Sequence, residues 1–278
     1  MRINSYKIIP IIRNSYVLAG LIIVSVFVFM AILADFISPY NPVETVGPAL
    51  QPPSMTYLMG TDNLGRDIFS RVIYGSRIML TIVAISVAMS GAIGTLLGLI
   101  SGYIGGLLDR ILSFTMDSIY AFPSLILAIS LSVALGPSPI NAAIAIAVVY
   151  VPTYFRMVRG QVLSIKNESY IEIARALGLP STRIVVKHIL PHVIRTLMVV
   201  FSMNSADAIL TEAALSFIGL TVQPPTPDWG FDLYKGRGFV LAGIWWIMVF
   251  PGLCITLLAV GFALISEGVS ALITSHRR

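Results

Sequence analysis

Two long apolar runs without a single charged residue constrain what this chain can fold into. One covers residues 16–34 and the other covers residues 78–103. A helix needs about 20 such residues to cross the hydrocarbon core of a bilayer, and both runs are close to or beyond that length. Charged residues make up only 11% of the chain, whereas soluble domains carry about 25%. The sequence therefore predicts an integral membrane protein.

Six apolar segments are long enough to serve as membrane helices, so the predicted fold is all-α. They lie at about 16–35, 78–101, 113–135, 139–156, 193–217 and 240–266. Arg2, Lys7 and Arg13 precede the first segment, as basic residues do in a secretory signal peptide. The segment is longer than the roughly 7–15 residues of a signal-peptide core, and no clean cleavage site follows it. We interpret it as an uncleaved membrane helix.

Basic residues are distributed unevenly between the two sides of these six helices. With a cytosolic N-terminus, the outer segments hold only Arg66, Arg71, Arg77, Lys235 and Arg237. The cytosolic segments then hold Arg2, Lys7, Arg13, Arg110, Arg156, Arg159, Lys166, Arg175, Arg183, Lys187, Arg195, Arg277 and Arg278. Because cytosolic loops of membrane proteins are enriched in Lys and Arg, both termini are predicted to be cytosolic.

A polar insertion, residues 36–77, separates the first two membrane helices and is predicted to be extracellular. It begins with a Pro-rich stretch and ends in a predicted amphipathic helix from about Arg66 to Tyr74, closed by Gly75. The apolar side of that helix would be formed by Ile68, Phe69, Val72 and Ile73, and its water-facing side by Arg66, Ser70 and Arg71. The chain would thus divide into an N-terminal part, 1–77, and a five-helix core, 78–278.

Small residues recur every four positions along the second predicted helix. They are Ser86, Ser90, Gly94, Gly98 and Gly102. Such a stripe lets another helix approach closely, which is how helices associate in lipid. The neighbour could be a helix of the same chain or a helix of a second membrane subunit, and the sequence favours neither.

A short charged segment between the fourth and fifth membrane helices has the pattern of a separate helix. Ser169 and Glu172 form a capping-box pattern, and Gly178 is placed to end the helix in a left-handed conformation. Ile171, Ala174 and Leu177 share one face, with Glu172 and Arg175 displaced from it. A two-turn helix is not stable alone in water, so its apolar face is expected to dock on something. The charge asymmetry places it in the cytosol.

The sequence excludes several other functions. It contains no Gly-x-x-x-x-Gly-Lys-Ser/Thr pattern, so the chain is not predicted to hydrolyse nucleotide through a P-loop. Its net charge of +5 is not concentrated in a basic, aromatic-rich run, so nucleic acid is not a predicted partner. Its single cysteine, Cys254, lies in an apolar run and is interpreted as a packing residue.

Two patterns that could hold a metal are weak, and no metal site is predicted. His188 and His192 have the four-residue spacing of metal ligands on a helix, but Ile follows His188 where a zinc protease has Glu, and Pro191 lies between them. The segment Asp62 to Asp67 lacks the alternating acids and terminal Glu of a calcium loop.

Three acidic residues fall inside predicted membrane helices, where charges usually face a helix bundle or a water-filled path. They are Asp117, Asp207 and Glu212, and Asn204 lies one turn before Asp207. These residues could line a solute pathway, form a proton relay, or make packing hydrogen bonds as neutral acids. No Lys or Arg is predicted to pair with them in the membrane, which disfavours the relay.

The three tryptophans lie near predicted membrane boundaries. They are Trp229, in a Pro-rich outer loop, and the adjacent pair Trp245 and Trp246. Tryptophans at such positions most often form an aromatic belt at the membrane surface, and that is the interpretation adopted here.

Four sequence blocks together resemble the second permease subunit of the dipeptide, oligopeptide and nickel ABC importers. The segment from Glu172 to Gly178, followed by Ile-Leu-Pro at 189–191, is similar to the cytosolic "EAA…G…LP" signature of ABC-importer permeases. The other blocks are 60–67, 212–220 and 222–230. The resemblance covers residues from about 10 to 265. Two positions depart from the pattern: Ile173 replaces an alanine, and Ser-Glu-Gly at 266–268 replaces Gly-Asp-Gly.

The resemblance implies the type I ABC importer permease fold, a multi-pass position in the cell membrane (the inner membrane in a Gram-negative cell) and no enzymatic activity of its own. It also implies four partner chains: a second permease, two cytosolic ATPases that bind the ATP and Mg²⁺, and an extracellular solute-binding protein. The permease itself would hold no cofactor. Solutes would be peptides or similar small molecules, moved inward.

The resemblance assigns roles to two groups of residues. Ser169, Ile171, Glu172, Ala174, Arg175, Leu177 and Gly178 would form a coupling helix, with Ile171, Ala174 and Leu177 in a cleft of one ATPase and Glu172 and Arg175 at its rim. Asp62, Gly65, Arg66 and Asp67 would belong to an outer loop or gate. Two alternatives remain at this point: a proton-coupled secondary transporter, and an intramembrane hydrolase using His188 and His192 or a serine–base pair in the membrane.

Overall fold

The fold is known here from a computed structural model that describes residues 14–275. Within that range the chain is built from helices joined by loops, without a strand, so the predicted all-α class is confirmed. Residues 1–13 and 276–278 lie outside the described part. The predictions that concern Arg2, Lys7, Arg13, Arg277 and Arg278 therefore stay predictions.

Nine helices organise the described part of the chain, together with four shorter segments. The helices are α1 (Ser15–Ile32), α2 (Ile68–Ile104), α3 (Gly106–Tyr120), α4 (Ser124–Leu135), α5 (Pro139–Ile165), α6 (Ser169–Ala176), α7 (Leu190–Phe217), α8 (Trp229–Gly236) and α9 (Trp246–Ser275). The shorter segments are Ala34–Ile37, Ser181–Ile184, a π-helical turn Val185–Ile189 and a 3₁₀ turn Val240–Ala242.

Four of these helices, α1, α2, α5 and α9, are each long and apolar enough to cross a membrane unbroken. Two further spans are bent pairs, so the predicted total of six is reached when each pair counts as one. The helix expected at 113–135 is in fact α3 and α4, which meet at an angle of 92°. The break falls at Phe122-Pro123, because a proline disfavours helical geometry in the residue before it. In the second pair, Ser181–Ile194 and Thr196–Phe217 meet at 52°.

Helix α2 corrects the prediction of a separate amphipathic helix at 66–74. The helix begins at Ile68, is capped by the Asp67 side chain, and continues through Gly75 to Ile104. Gly75 does not end the helix because it packs against another part of the chain: a Cβ added there would lie 2.6 Å from Cδ1 of Trp229. The predicted domain boundary at 77 consequently falls inside a continuous helix.

The small-residue stripe of α2 packs against α5 within the same chain. A Cβ added at Gly94 would lie 2.5 Å from Cβ of Tyr154, and one added at Gly98 would lie 2.8 Å from Cβ of Val158. The two helices therefore touch along much of their length with almost no side chain between them on the α2 side. Of the two neighbours left open by the sequence, the structure favours the helix of the same chain.

Helix α5 ends at Ile165, nine residues beyond the predicted end at 156. Its extra turns carry Arg159 and lead directly to α6. A second apolar cluster lies here, separate from the main core of α1, α2, α5, α7 and α9, and it holds α6 against the rest of the chain.

Candidate functional site

The segment predicted to be cytosolic is a separate two-turn helix, α6, but its N-terminus differs from the prediction. The N-cap residue is Glu168, and no side-chain cap hydrogen bond forms. The capping box expected between Ser169 and Glu172 is therefore not formed. Both of those side chains are exposed instead.

The C-terminus of α6 has the geometry expected of a glycine that ends a helix. Gly178 has a φ of +77°, in the left-handed region. The amide of Gly178 donates to the carbonyl of Arg175 at 3.0 Å, and the amide of Leu179 donates to the carbonyl of Ala174 at 3.2 Å. This pair of hydrogen bonds is the Schellman motif, which satisfies the last carbonyls of the helix.

The two apolar sides of α6 have different environments. Ile171 is completely buried and Ala174 nearly so, both in this chain's own apolar cluster. That cluster is completed by Leu99, Val158, Val162, Ile184, Ile189 and Val193. Ile171 and Ala174 are therefore not free to enter a partner's cleft, which corrects that part of the prediction. They position the helix.

The adjacent side of α6 exposes apolar surface. Tyr170, Ile173 and Leu177 are 41%, 60% and 74% exposed, and their spacing of three and four residues puts them on one side of the helix. We call these three residues the docking edge. Glu172 and Arg175 flank it and are also exposed, and the Arg175 guanidinium lies 5.9 Å from the centre of the Tyr103 ring. The sequence grouped Leu177 with the buried Ile171 and Ala174, and it did not single out Tyr170 or Ile173.

A polar cavity of about 470 Å³ opens between α5, α7 and the break that joins α3 to α4. Two of the four predicted pathway residues, Asn204 and Asp207, line it. The break supplies Tyr120, Phe122 and Ser124 to the same wall. The structure therefore brings part of the predicted pathway set together at one cavity.

The other two predicted pathway residues lie elsewhere. Asp117 accepts hydrogen bonds from Nε and Nη2 of Arg156, at 3.1 and 2.7 Å. The prediction that Asp117 has no basic partner is therefore wrong. The pairing was missed because the predicted fourth helix ends at Arg156, which placed that side chain in the cytosol. Glu212 is completely buried, and its carboxyl group lies within hydrogen-bonding reach of the Asp228 carboxyl group.

Asp228, close to Glu212, caps the start of α8. Its carboxylate accepts hydrogen bonds from the Thr221 hydroxyl at 3.0 Å, from the Gly230 amide at 3.0 Å and from the Ser216 hydroxyl. Burial raises the pKa of Asp228, while these hydroxyl donors lower it. The result is a rigid polar joint between the end of α7 and α8.

The four predicted gate residues form a closed turn in front of α2. The Asp62 carboxylate accepts from the amides of Leu64 and Arg66 and forms an ion pair with the Arg66 guanidinium, with Nε at 2.7 Å. Gly65 has a φ of +71°, and a Cβ there would lie 2.1 Å from the Gly47 carbonyl oxygen. Asp67 accepts from the Ser70 amide at 2.8 Å. Each of the four residues thus helps to stabilise the turn. Their role in gating stays a prediction.

Arg66, Ser70 and Arg71 were predicted to face water, and this prediction is wrong. All three are buried, with Arg71 only 2% exposed. Arg71 forms a bidentate pair with Asp232 of α8, at 3.0 and 2.7 Å, and its Nη1 donates to the carbonyls of Pro42 and Pro225. One guanidinium thus joins the outer insertion, the Pro-rich loop and α8. No local pattern marks a partner 161 residues away.

The aromatic-belt interpretation is also wrong for two of the three tryptophans. Trp229 and Trp246 are buried, whereas Trp245 is exposed. The indole nitrogen of Trp229 donates to the carbonyl of Val72 at 2.9 Å, and that of Trp246 donates to the carbonyl of Thr61 at 3.2 Å. Together with Arg71, they fasten the outer insertion to the C-terminal part of the chain. We call this assembly the outer layer.

Two known protein families match the sequence of this chain. The family described as "Binding-protein-dependent transport system inner membrane component" matches residues 94–274, well over half of the chain. The chain belongs to this permease family. A second family, described as the N-terminal membrane domain of oligopeptide transport permease C, matches residues 11–53. The permease is therefore matched both in its core and in its N-terminal part.

Curated relatives of the permease agree with both family matches. It is 43% identical to the dipeptide transport system permease protein DppC of Escherichia coli K12, over 92% of this chain and 88% of that one. It is 41% identical to the DppC protein of Alkalihalophilus pseudofirmus, over 92% of this chain and 84% of that one. A Pseudomonas aeruginosa di/tripeptide transport permease is 38% identical.

The fold of the permease is also that of a solved ABC importer. A chain from an inward-facing structure of the MetNI methionine ABC transporter superposes with a TM-score of 0.56 at 20% identity, covering 72% of this permease and 96% of that chain. The type I permease fold is thus confirmed. The protein is a multi-pass membrane permease subunit of the ABC importer type, and the findings support this function over a proton-coupled secondary transporter.

Proposed function

We propose that this permease is the translocating subunit of an ATP-driven importer of short peptides. The relatives that cover most of its length are named as dipeptide or di/tripeptide permeases, which supports a peptide substrate. Its own polar cavity, between α5, α7 and the α3–α4 break, offers a path lined with hydroxyl and amide groups. The chain would import only as part of a larger complex, since its sequence has no P-loop.

The complex would contain a second permease, two cytosolic ATPases that bind ATP and Mg²⁺, and an extracellular solute-binding protein. Both termini and α6 would lie in the cytosol. The outer layer would face the binding protein, and Asp62, Gly65, Arg66 and Asp67 would keep that surface in one shape. The permease would contribute no cofactor of its own.

The docking edge of α6 carries this proposal. The buried face of α6, Ile171 and Ala174, is packed in the chain's own cluster, so the helix cannot rotate to bury the docking edge instead. Tyr170, Ile173 and Leu177 therefore stay exposed as apolar surface outside the membrane spans. Such a patch, flanked by Glu172 and Arg175, has the composition of a protein-protein contact with a polar rim. An ATPase cleft is the partner that the function requires.

The test is co-purification of the ATPase subunits with a tagged permease from cells that express the whole complex. Leu177→Asp places a charge in the docking edge and is expected to abolish co-purification and peptide uptake, because an unpaired charge would be buried at the contact. Leu241→Asp is the matched control, since Leu241 is fully exposed in the 3₁₀ turn far along the chain. Full ATPase recovery with undiminished uptake in Leu177→Asp would contradict the proposal.

A further inference from the structure

We propose that Asp207 binds the ammonium group of the solute inside the polar cavity. This inference rests on the proposed function and extends it, because it names the chemical group that the permease itself recognises. The ligand class is an α-amino compound with a free N-terminus, such as an unblocked short peptide. Three independent features of the cavity support the assignment.

The first feature is that Asp207 has no counter-ion. Most other aspartates of the described part are paired with arginine: Asp35 with Arg77, Asp62 with Arg66, Asp109 with Arg159, Asp117 with Arg156 and Asp232 with Arg71. None of the basic side chains that the structure describes lies within ion-pair distance of Asp207, and the Asp207 side chain is exposed and lines the cavity. A carboxylate on a membrane helix is costly unless a water-filled space or a cation faces it.

The second feature is a buried amide donor one turn away. Asn204 precedes Asp207 by three residues on α7, so the two lie on the same side of the helix, and both line the cavity. Asn204 is 1% exposed, and its side chain hydrogen-bonds with the Tyr154 hydroxyl. An amide NH2 group carries two hydrogens, so one is left after the bond to Tyr154. A carbonyl oxygen of the solute would accept from that second hydrogen.

The third feature is the remainder of the cavity wall. Phe122, at the α3–α4 break, contributes an aromatic ring, and aromatic rings attract cations. The Tyr120 ring lies in the same wall but already has the Arg156 guanidinium 3.9 Å from its centre. The Thr211 hydroxyl donates to the carbonyl of Asp207 and lies 3.0 Å from the Tyr150 hydroxyl, whose oxygen can still accept from a polar solute. The cavity thus combines one negative charge, one amide donor, an aromatic ring and a hydroxyl acceptor. An ammonium group followed by a peptide carbonyl matches that set.

A metal ion does not fit the same cavity. Divalent cations are usually held by several carboxylate, carbonyl or imidazole ligands, and Asp207 is the single acidic residue in the wall. The described residues also contain no group of three or more His, Cys, Asp or Glu side chains placed to share an ion. One carboxylate beside an amide donor is better suited to a molecular cation.

The experiment measures ATP-driven uptake of radiolabelled alanyl-alanine into proteoliposomes that contain the complete transporter and saturating binding protein. Asp207→Asn is expected to lower the maximal uptake rate at least about tenfold, the usual scale for losing a charged hydrogen-bond partner. Asp207→Glu keeps the charge and is expected to recover most of the rate. Glu267→Gln, on the exposed side of α9, makes the same chemical change outside the cavity and is expected to leave uptake unchanged.

Binding-protein-stimulated ATP hydrolysis separates this inference from the proposed function. If the wild-type complex moves no alanyl-alanine, the peptide-importer proposal fails. If the wild type transports and Asp207→Asn keeps both its ATPase stimulation and its uptake within twofold of wild type, the ammonium site is wrong. Equal losses in Asp207→Asn and Asp207→Glu would also overturn it, since shape rather than charge would then matter.

Discussion

The molecule contains two amphipathic segments that look alike in the sequence and behave differently in the structure. One leads to Gly75 on the predicted outer side and the other leads to Gly178 in the predicted cytosolic loop. Gly178 adopts a left-handed conformation and ends its helix, whereas Gly75 stays helical and lies under the indole ring of Trp229. A glycine after an amphipathic run therefore marks either a helix end or a close approach, and only distant contacts decide which.

The two segments are also held in place by different forces. The outer one is fixed by polar contacts: a bidentate Arg71–Asp232 pair and indole-to-carbonyl hydrogen bonds. The cytosolic one is fixed by apolar packing of Ile171 and Ala174, with its other side open. This contrast is what the proposed function expects, with an outer layer that keeps its shape and a helix α6 that passes motion to a partner. Three predictions test the contrast, in decreasing order of expected effect.

Loss of the buried ion pair is expected to have the largest effect. Asp232→Asn leaves the Arg71 guanidinium buried without a balancing charge, which typically destabilises a protein by about 3–5 kcal/mol. Asp35→Asn is the matched control, because the Asp35–Arg77 pair is exposed on both sides and such pairs contribute about 0–1 kcal/mol. Thermal denaturation of the purified permease in detergent compares the two. Equal melting temperatures for both variants would show that polar contacts do not hold the outer layer.

Truncation of the apolar anchor of α6 is expected to have the next largest effect. Ile171→Ala opens a space in a fully buried cluster, at a typical cost of about 2–5 kcal/mol. Leu177→Ala removes an exposed side chain and is expected to change stability by no more than about 0.5 kcal/mol. Proteolysis in the segment 166–180 should accelerate in Ile171→Ala alone. Faster cleavage in Leu177→Ala as well would mean that the docking edge also stabilises the isolated chain.

Substitution of the two glycines is expected to have the smallest effect and to differ in kind. Gly178→Asn should be better tolerated than Gly178→Ala, because asparagine accepts a left-handed conformation that costs alanine about 1–2 kcal/mol. At Gly75 the order should reverse, since any Cβ meets the Trp229 ring and the larger side chain crowds it more. Melting temperatures of the four variants give the comparison directly. The same preference at both positions would refute the distinction drawn between them.

Much of the architecture could be predicted from local patterns. The uncharged runs gave the membrane class, and Gly178 marked the end of α6. The break between α3 and α4 had a local signal in Pro123, but an unbroken apolar run concealed it. Hydropathy measures whether a residue avoids water, and it carries no information about a bend in the helix axis.

The remaining features depended on contacts between residues far apart in the chain. Arg71 was assigned to water because a charge usually belongs there, and its partner Asp232 is 161 residues away. Likewise, the three-residue spacing grouped Ile171, Ala174 and Leu177 on one face, and only contacts with the rest of the chain separate the buried Ile171 and Ala174 from the exposed Leu177. Of the cavity residues, Asn204 and Asp207 were found because polar groups are rare in membrane helices. Tyr120 and Phe122 could not be identified as cavity residues from the sequence, because aromatic residues are common in membrane helices.

The π-helical turn at Val185–Ile189 has a consequence for how this protein can vary. The turn is closed by a hydrogen bond from the Leu190 amide to the Val185 carbonyl, and so it contains one residue more than an α-helical turn. The extra residue lets Ile184 and Ile189, five positions apart, enter the same apolar cluster. Deleting one residue here would shorten the chain little but rotate everything before it by about 100° about the helix axis. The docking edge would then face a different direction. A one-residue deletion in this turn is therefore expected to disturb the position of α6 through rotation more than through the lost length.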